Sequence, residues 1–327
     1  MSKKTDNTGR IVLPLALGVF ILYWVYRDFD FEQVAQVLLH GTDWFWMLLS
    51  LLFGVLSHVL RGWRWRQTLE PLGMYPRTSN CVDAIFVSYA ANLVLPRVGE
   101  VSRCGILKRY DHLSFAPTLG TVVTERVIDT LLTLLIAAVA FFWQMPVFFR
   151  FFQQTGTKIP SFVYLITSPW FYVSLFCVVG VGLLLFRLLR SLSAFKRVQG
   201  MLRQMVAGIL SLRKVRSIPL FMVYTLGIWV CYFLHFYLTF LCFGFSQHLG
   251  VAAGLVLFVA GTFAVVVPTP NGAGPWHFAV ITMMMLYGVG AEESGIFALI
   301  VHGIQTLLVV VLGVAGWLHL VWKNRKS

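Results

Sequence analysis

The chain has 327 residues, of which 58% are hydrophobic and 12% charged, against roughly 45–50% and about 25% in soluble domains. That composition excludes a soluble enzyme, a disordered linker and a secreted disulfide scaffold, and leaves a polytopic membrane protein built as one integral unit, 1–327. The formal net charge is +13; the basic residues sit in short segments beside apolar runs, so they read as topology signals and lipid-headgroup contacts rather than a nucleic-acid surface. The apolar runs are long and continuous, which predicts helices and not a β-barrel.

In chain order, Lys3, Lys4 and Arg10 precede an apolar run over 11–26 with no small-residue cleavage site after it, which reads as an uncleaved first span. Asp28, Asp30, Glu32 and Asp43 suit the outer face, and 31–39 reads as an interfacial amphipathic segment. The second span, 44–60, ends in Arg61, Arg64, Arg66 and Arg77, a cytoplasmic signal. The next stretch is short for a span and stops at Pro96, followed by Arg97, Arg103, Lys108 and Arg109. A full crossing would carry those charges outside, so a re-entrant hairpin over 79–112 is expected. Spans follow at 117–142 and 170–189. From Arg187 to Arg216 come eight basic residues with no acid between them, a cytoplasmic segment with amphipathic character. A span at 219–243, a second hairpin at 249–290 entering from outside, and a last span at 294–322 ending in Lys323, Arg325 and Lys326 complete the chain. The expected fold is all-α: six full spans and two broken-helix hairpins in an arrangement that fits an inverted repeat, with both termini cytoplasmic.

Polar groups at bilayer depth cost a few kcal/mol each unless paired or wetted, so three clusters stand out. In the first, Asn92 precedes Pro96, Arg97, Gly99, Glu100 and Arg103. The helix break frees backbone groups, the arginines suit phosphate, and Glu100 suits orienting an arginine or carrying a proton; the alternative is an ordinary cytoplasmic loop. In the second, Glu125 and Asp129 lie four apart on one helix face with Arg126 one step round. They suit holding the hairpin's charges, or a structural intramembrane salt bridge. In the third, Pro268, Pro270, Asn271, Gly272 and Gly274 enforce a helix break, and the next half-helix points its N-terminal amides to mid-membrane. His277 beside it suits donation to phosphate or proton exchange, or a satisfied structural role. The five cysteines form no C-x-x-C pair, no histidine has metal-ligand spacing, and no Walker loop, H-E-x-x-H or G-x-S-x-G occurs. No metal or cofactor is therefore expected.

Four segments together make the chain resemble the lysylphosphatidylglycerol synthase transmembrane, flippase-like family. They are Arg61-Gly62-Trp63-Arg64-Trp65, Asn92 through Arg103, Glu125-Arg126-Val127-Ile128-Asp129, and Pro268 through Gly274. The resemblance implies an integral membrane protein that moves lipids such as aminoacylated phosphatidylglycerol between leaflets, with some members tied to lipid-linked sugars, in a bacterial inner membrane. Where members often carry a Glu soon after the Gly-rich break, this chain has His277. The soluble aminoacyl-transferase domain of the full-length synthases has no counterpart in these residues, so synthase activity is not carried over.

The expectation is a lipid transporter in which Arg97, Arg103, Arg126, Asn92, Asn271 and His277 contact the headgroup. Glu100, Glu125 and Asp129 position those arginines or couple to protons. Pro96, Gly99, Pro268, Pro270, Gly272 and Gly274 form the breaks and hinges. Membrane lipids are the expected partners, with a lipid-modifying enzyme as a further one. The rivals are an integral transferase acting on lipid phosphates and a non-catalytic membrane subunit.

Overall fold

A computed structural model describes residues 16–27, 29–95, 97–147 and 215–325. The expected span at 170–189, the basic run from Arg187 to Lys214, and Pro96 lie outside them. The described residues are helical, without a strand, and we number the helices α1 (Ala16–Tyr26), α2 (Phe31–His40), α3 (Trp44–Leu69), α4 (Thr78–Val94), α5 (Val98–Tyr110) and α6 (Phe115–Trp143). After the undescribed stretch come α7 (Ile218–Tyr237), α8 (Val251–Ala264), α9 (Pro275–Leu286) and α10 (Ala291–Asn324).

Four stretches are long and apolar enough to cross a bilayer: Trp44–Leu72, Phe115–Trp143, Ile218–Cys242 and Ala291–Asn324. Their outward faces are aliphatic stripes at helical spacing, such as Val127, Leu131, Leu134 and Leu135 on α6, or Val310, Val311, Val314 and Leu318 on α10. Exposed apolar area on this scale is untenable in water and natural against lipid tails. The protein is a multi-pass, all-α membrane protein.

Helix ends follow local chemistry. Asp30 and Asp43 cap α2 and α3, accepting hydrogen bonds from the amides of Glu32 and Phe45. Helix α3 runs past the expected end at 60, because nothing in Arg61-Gly62-Trp63-Arg64-Trp65-Arg66 stops a helix; it closes only at Glu70-Pro71-Leu72 and Gly73, whose φ is 73°.

Helix α4 lies antiparallel to α10. Arg77 donates to Asn324 (3.1 Å) and Lys323 to Ser79 (2.6 Å), while Asp83 meets His319 at 2.6 Å. Further along, Gly316 backs on Phe86, and Gly313 leaves no room for a Cβ against Ala90. Small residues let membrane helices approach this closely, where dispersion replaces the missing hydrophobic drive. Continuing that register, Val94 at the end of α4 comes level with Val309 near the middle of the 34-residue α10. Helix α5 then folds back along α4, and its end returns to the start of α4, where Asp111 accepts from the Arg77 amide and from Asn80.

Helices α8 and α9 form a second antiparallel pair broken at Pro268–Gly274, and α9 leads through a short turn into the start of α10. The two hairpins therefore open toward opposite ends of α10. The turn Pro270–Gly272 touches α4, and Asn271 donates to Thr306 at 2.8 Å on α10. Thr306 and Val309 are three residues apart, about 4.5 Å of helix rise, so both breaks meet at one level halfway along α10.

Candidate functional site

Charged residues collect where α3, α5 and α6 converge beside the first hairpin. On α3, Arg61 and Arg64 are one turn apart and share the inward face, 2% and 0% exposed. Helix α6 contributes Glu125 and Asp129 from its buried face, and α5 contributes Arg103 at 1% exposure. Asp129 is the hub. Its carboxylate lies 2.9 Å from Arg61 Nη1, 3.0 Å from Arg64 Nη2 and 3.6 Å from Arg126 Nη2. Glu125 ties the rest, 3.5 Å from Arg64 Nε and 2.7 Å from Arg103 Nη2.

Aromatic and hydroxyl groups hold this cluster in place. The Arg103 guanidinium stacks over Trp65 at 4.6 Å, and the Trp65 indole N–H donates to Thr121 at 3.0 Å. Arg61 Nε donates to the Tyr232 hydroxyl at 3.1 Å, and that oxygen is 2.7 Å from the Tyr89 hydroxyl. Thus α4 and α7 are tied to the charges as well. Four guanidiniums, on Arg61, Arg64, Arg103 and Arg126, meet two carboxylates, on Glu125 and Asp129. Nε and Nη1 of Arg103 have no hydrogen-bond partner. Buried charge in a bundle is stable only when paired and hydrogen-bonded, so a surplus of buried guanidinium is a standing demand for an anion or water.

A second polar constellation sits at the other break. Asn271 has φ 52°, a left-handed conformation that Asn tolerates better than most residues. Its carbonyl accepts from His302 Nε2 at 3.2 Å and its amide donates to Thr306, fastening the break to α10. Gly274, at φ 91°, has Ile21 of α1 against its missing Cβ at 2.8 Å, a position that only glycine fills. His277 is 2% exposed; its Nδ1 accepts from the Gly274 amide at 3.4 Å and its ring packs against Tyr26 and His302. Between the two constellations, α10 Gln305 donates to the His235 carbonyl (3.2 Å), and His235 bonds Ser50 on α3. Along α3, Ser50, Gly54, His58, Arg61 and Arg64 then carry a polar, buried stripe toward the charges.

The structure places the residues expected from sequence as follows. Arg103, Glu125, Asp129 and Arg126 come together; Arg126 is at the edge, its side chain 43% exposed. Arg97, at φ 66°, is exposed at the hairpin tip and joins no ion pair of the cluster. Asn92 accepts from the Gly99 amide at 2.8 Å, and Gly99 lies so close to the Ser88 carbonyl that a Cβ does not fit, so both fix the α4–α5 crossing. Glu100 makes no ion pair with the four arginines, and one of its carboxylate oxygens is buried without a partner. Pro268 is exposed in the second break, while Pro270 and Gly272 form its turn. Arg61 and Arg64, taken from sequence as topology charges past the end of a span, belong to the centre of the site. Two arginines three apart inside an unbroken helical pattern were the available signal. Trp65, Tyr89 and Tyr232 carried none beyond their polar handles.

The class is thus a helical membrane protein with two opposed hairpins and a buried, arginine-rich ionic cluster. Residues 11–313 match the family described as the lysylphosphatidylglycerol synthase TM region, and the chain belongs to that family. It is also similar to the glycosyltransferase AglD of Haloferax volcanii, 30% identical over 128 residues. That stretch is 39% of this chain and 20% of the archaeal protein. No solved structure matches.

Proposed function

We propose that the chain is a flippase-like transporter that moves an anionic or aminoacylated phospholipid, or a lipid-linked precursor, between membrane leaflets. The observation that carries this reading is a cationic excess inside an apolar bundle: the buried Arg61, Arg64 and Arg103, with Arg126 at the edge, are ion-paired with only Glu125 and Asp129. Arginine binds phosphate oxygens by charge and directional donors. The headgroup would enter the polar interior beside the hairpins while the tails stay in lipid. In this reading the two hairpins are re-entrant and meet near the midplane, as in transporters whose substrate sits between broken helices. Arg103 and Arg126 contact phosphate; Glu125 and Asp129 set the arginines in position. Arg97 and Glu100 stand at the hairpin tip where a headgroup would pass, and the break at Asn271 serves as the opposing wall. Arg66 near the end of α3 and Arg77 after it, with Lys323 and Arg325 at the end of α10, support a reading with both termini cytoplasmic, in a bacterial inner membrane. Membrane lipids are the partners.

Membership of a lipid-synthase membrane family and similarity to part of a glycosyltransferase support a role in lipid-modifying systems. The test is a leaflet-translocation assay in proteoliposomes with labelled phosphatidylglycerol, its lysyl ester and a polyprenyl phosphate, comparing wild type with Arg103→Gln and Glu125→Gln. One lipid moved unchanged, and movement lost in both variants, is expected. A chemically altered lipid would replace transport with a transferase, and no movement of any lipid would leave a membrane subunit acting through a partner enzyme.

A further inference from the structure

We propose that Asp83 on α4 and His319 on α10 form a proton-binding site whose occupancy sets how tightly the first hairpin is clasped to α10. Among the described residues they are the one carboxylate–imidazole ion pair, with His319 Nδ1 2.6 Å from Asp83 Oδ2. The carboxylate is 8% exposed and the imidazole 42%. With the carboxylate ionised, Nδ1 carries the shared hydrogen, so the proton that comes and goes does so at Nε2. The carboxylates of the arginine cluster offer no such place. Asp129 faces three guanidiniums and Glu125 two, and a proton on either leaves a buried cation without its partner. The buried histidines offer none either: His235 and His302 meet backbone carbonyls, His277 a backbone amide, and His58 the rings of Phe86, Tyr89 and Tyr232.

The pair stands beside a close helix contact. A Cβ on Gly316 would come within 3.2 Å of the Asp83 carbonyl oxygen, so the two backbones have little slack next to the charges. An imidazolium adds a full positive charge to the hydrogen bond it gives the carboxylate; the neutral ring keeps the bond and loses that attraction. The clasp is therefore strongest on the acid side and weakens as pH rises through the titration of His319. The other charged groups around it are engaged. Lys323 on α10 donates to Ser79 at 2.6 Å, and Arg77 before α4 donates to Asn324 at 3.1 Å. Arg66 on α3 pairs with Glu70 at 3.4 Å, and Asp111 after α5 accepts from Asn80 at 2.9 Å. Against arginines, lysine and carboxylates, imidazole is the side-chain type that changes charge between about pH 5 and 8. Helix α4 carries the effect onward: Asn92 near its far end holds the Gly99 amide of α5, and the helix touches the Asn271 turn. What the proton does to lipid movement rests on the transport reading above; the proton site itself does not.

The experiment is hydrogen–deuterium exchange of the purified full chain in proteoliposomes at pH 6 and pH 8, with exchange times scaled for the base-catalysed chemical rate. The segments read are 78–86 of α4 and 313–324 of α10. Their protection is expected to fall at least about threefold from pH 6 to pH 8 in the wild type. In His319→Gln, which removes the titrating ring at a half-exposed position, and in the near-isosteric Asp83→Asn, the two pH values are expected to agree. His248→Gln, an exposed histidine in the turn before α8, is the control and is expected to keep the full response. Equal protection of the wild type at both pH values overturns the proposal. A response that survives in His319→Gln overturns it in favour of another titrating group, and one that survives in Asp83→Asn shows a histidine acting without its carboxylate and overturns it too. Should Asp83→Asn fail to fold, His319→Gln decides. The same vesicles carry labelled phosphatidylglycerol, its lysyl ester and a polyprenyl phosphate. Lipid movement without the exchange response sinks this inference and leaves the transport reading intact; the exchange response without movement of any lipid at either pH does the reverse.

Discussion

Asp129→Asn removes one charge from the centre of the cluster and almost no volume. In the wild type the carboxylate faces three guanidiniums, at 2.9, 3.0 and 3.6 Å. Removing one partner of a buried ion pair costs about 3–5 kcal/mol, because the other charge stays buried and uncompensated. Here three cations lose their hub, and Glu125 alone remains to face the set. Unfolding entropy of roughly 2.1 cal/mol/K per residue, applied to 327 residues, gives about 0.7 kcal/mol/K, so the variant should melt about 4–7 °C lower. The assay is thermal unfolding of the detergent-solubilised protein followed by tryptophan fluorescence. Arg126→Gln is the control: its side chain is 43% exposed and leaves the hub two strong partners, so it should cost no more than about 1 kcal/mol. Asp129→Asn combined with Arg61→Gln takes away a surplus cation together with the hub, and should recover at least about 1 kcal/mol relative to additive losses. An Asp129→Asn melting point within a degree of wild type, or strict additivity in the double variant, would refute the argument that Asp129 neutralises this cluster.

Three further outcomes follow from the packing. Gly99→Ala drives a Cβ into the Ser88 carbonyl and to 2.8 Å from Asn92 Nδ2, so it should destabilise by about 1–3 kcal/mol or more, read as a lower melting temperature. Asn271→Ala loses the bond to Thr306 and places alanine at φ 52°; the expected loss is about 1–3 kcal/mol, and a variant melting like wild type would mean the break is not fastened through this side chain. Gly313→Leu forces α10 away from Ala90 on α4 and should lower the melting temperature by several degrees, whereas Val314→Leu on the lipid-facing stripe should leave it unchanged.

The all-α membrane architecture was legible because its signal is additive: long apolar runs and breaks at Pro and Gly need no partner to be recognised. The helix ends at Val94 and Ala264 fall within a few residues of where Pro96 and Pro268 demand them. The four-residue spacing of Glu125 and Asp129 likewise made their common face readable. Which cations they hold was not readable. Arg61 and Arg64 follow an apolar run, and in sequence alone a charge after such a run is indistinguishable from a topology signal. What separates the cases is where the guanidiniums end up once the helix continues, and for Arg64 that is set by acids that α6 presents 61 and 65 residues away. Arg97 and Arg103 show the converse. Both stand at the same helix break with the same chemistry, yet six residues of helix turn one out to the tip and bury the other over Trp65.

The second break is informative because Asn271 and His277 are already spoken for. Asn271 uses its amide and its carbonyl on α10, and His277 uses Nδ1 on the Gly274 amide. A substrate contacting them would first have to break bonds that hold the hairpin. At the first hairpin the situation is the opposite: Arg103 keeps two nitrogens without a partner, and the bonds that position its neighbours run outward to Thr121, Tyr232 and Tyr89. Two hairpins of similar shape thus divide the work. The one at Asn271 is a joint, locked to the middle of α10 and wedged by α1. The one at Gly99 presents unfilled donors beside a charge surplus, and α10 connects them through Thr306 and Gln305 on adjacent positions. Of the three helices that carry the arginines, α3 and α5 pack on α4, whose far end touches the Asn271 turn. In the transport reading proposed above, a headgroup arriving at one hairpin would reach the joint at the other through α4 and α10.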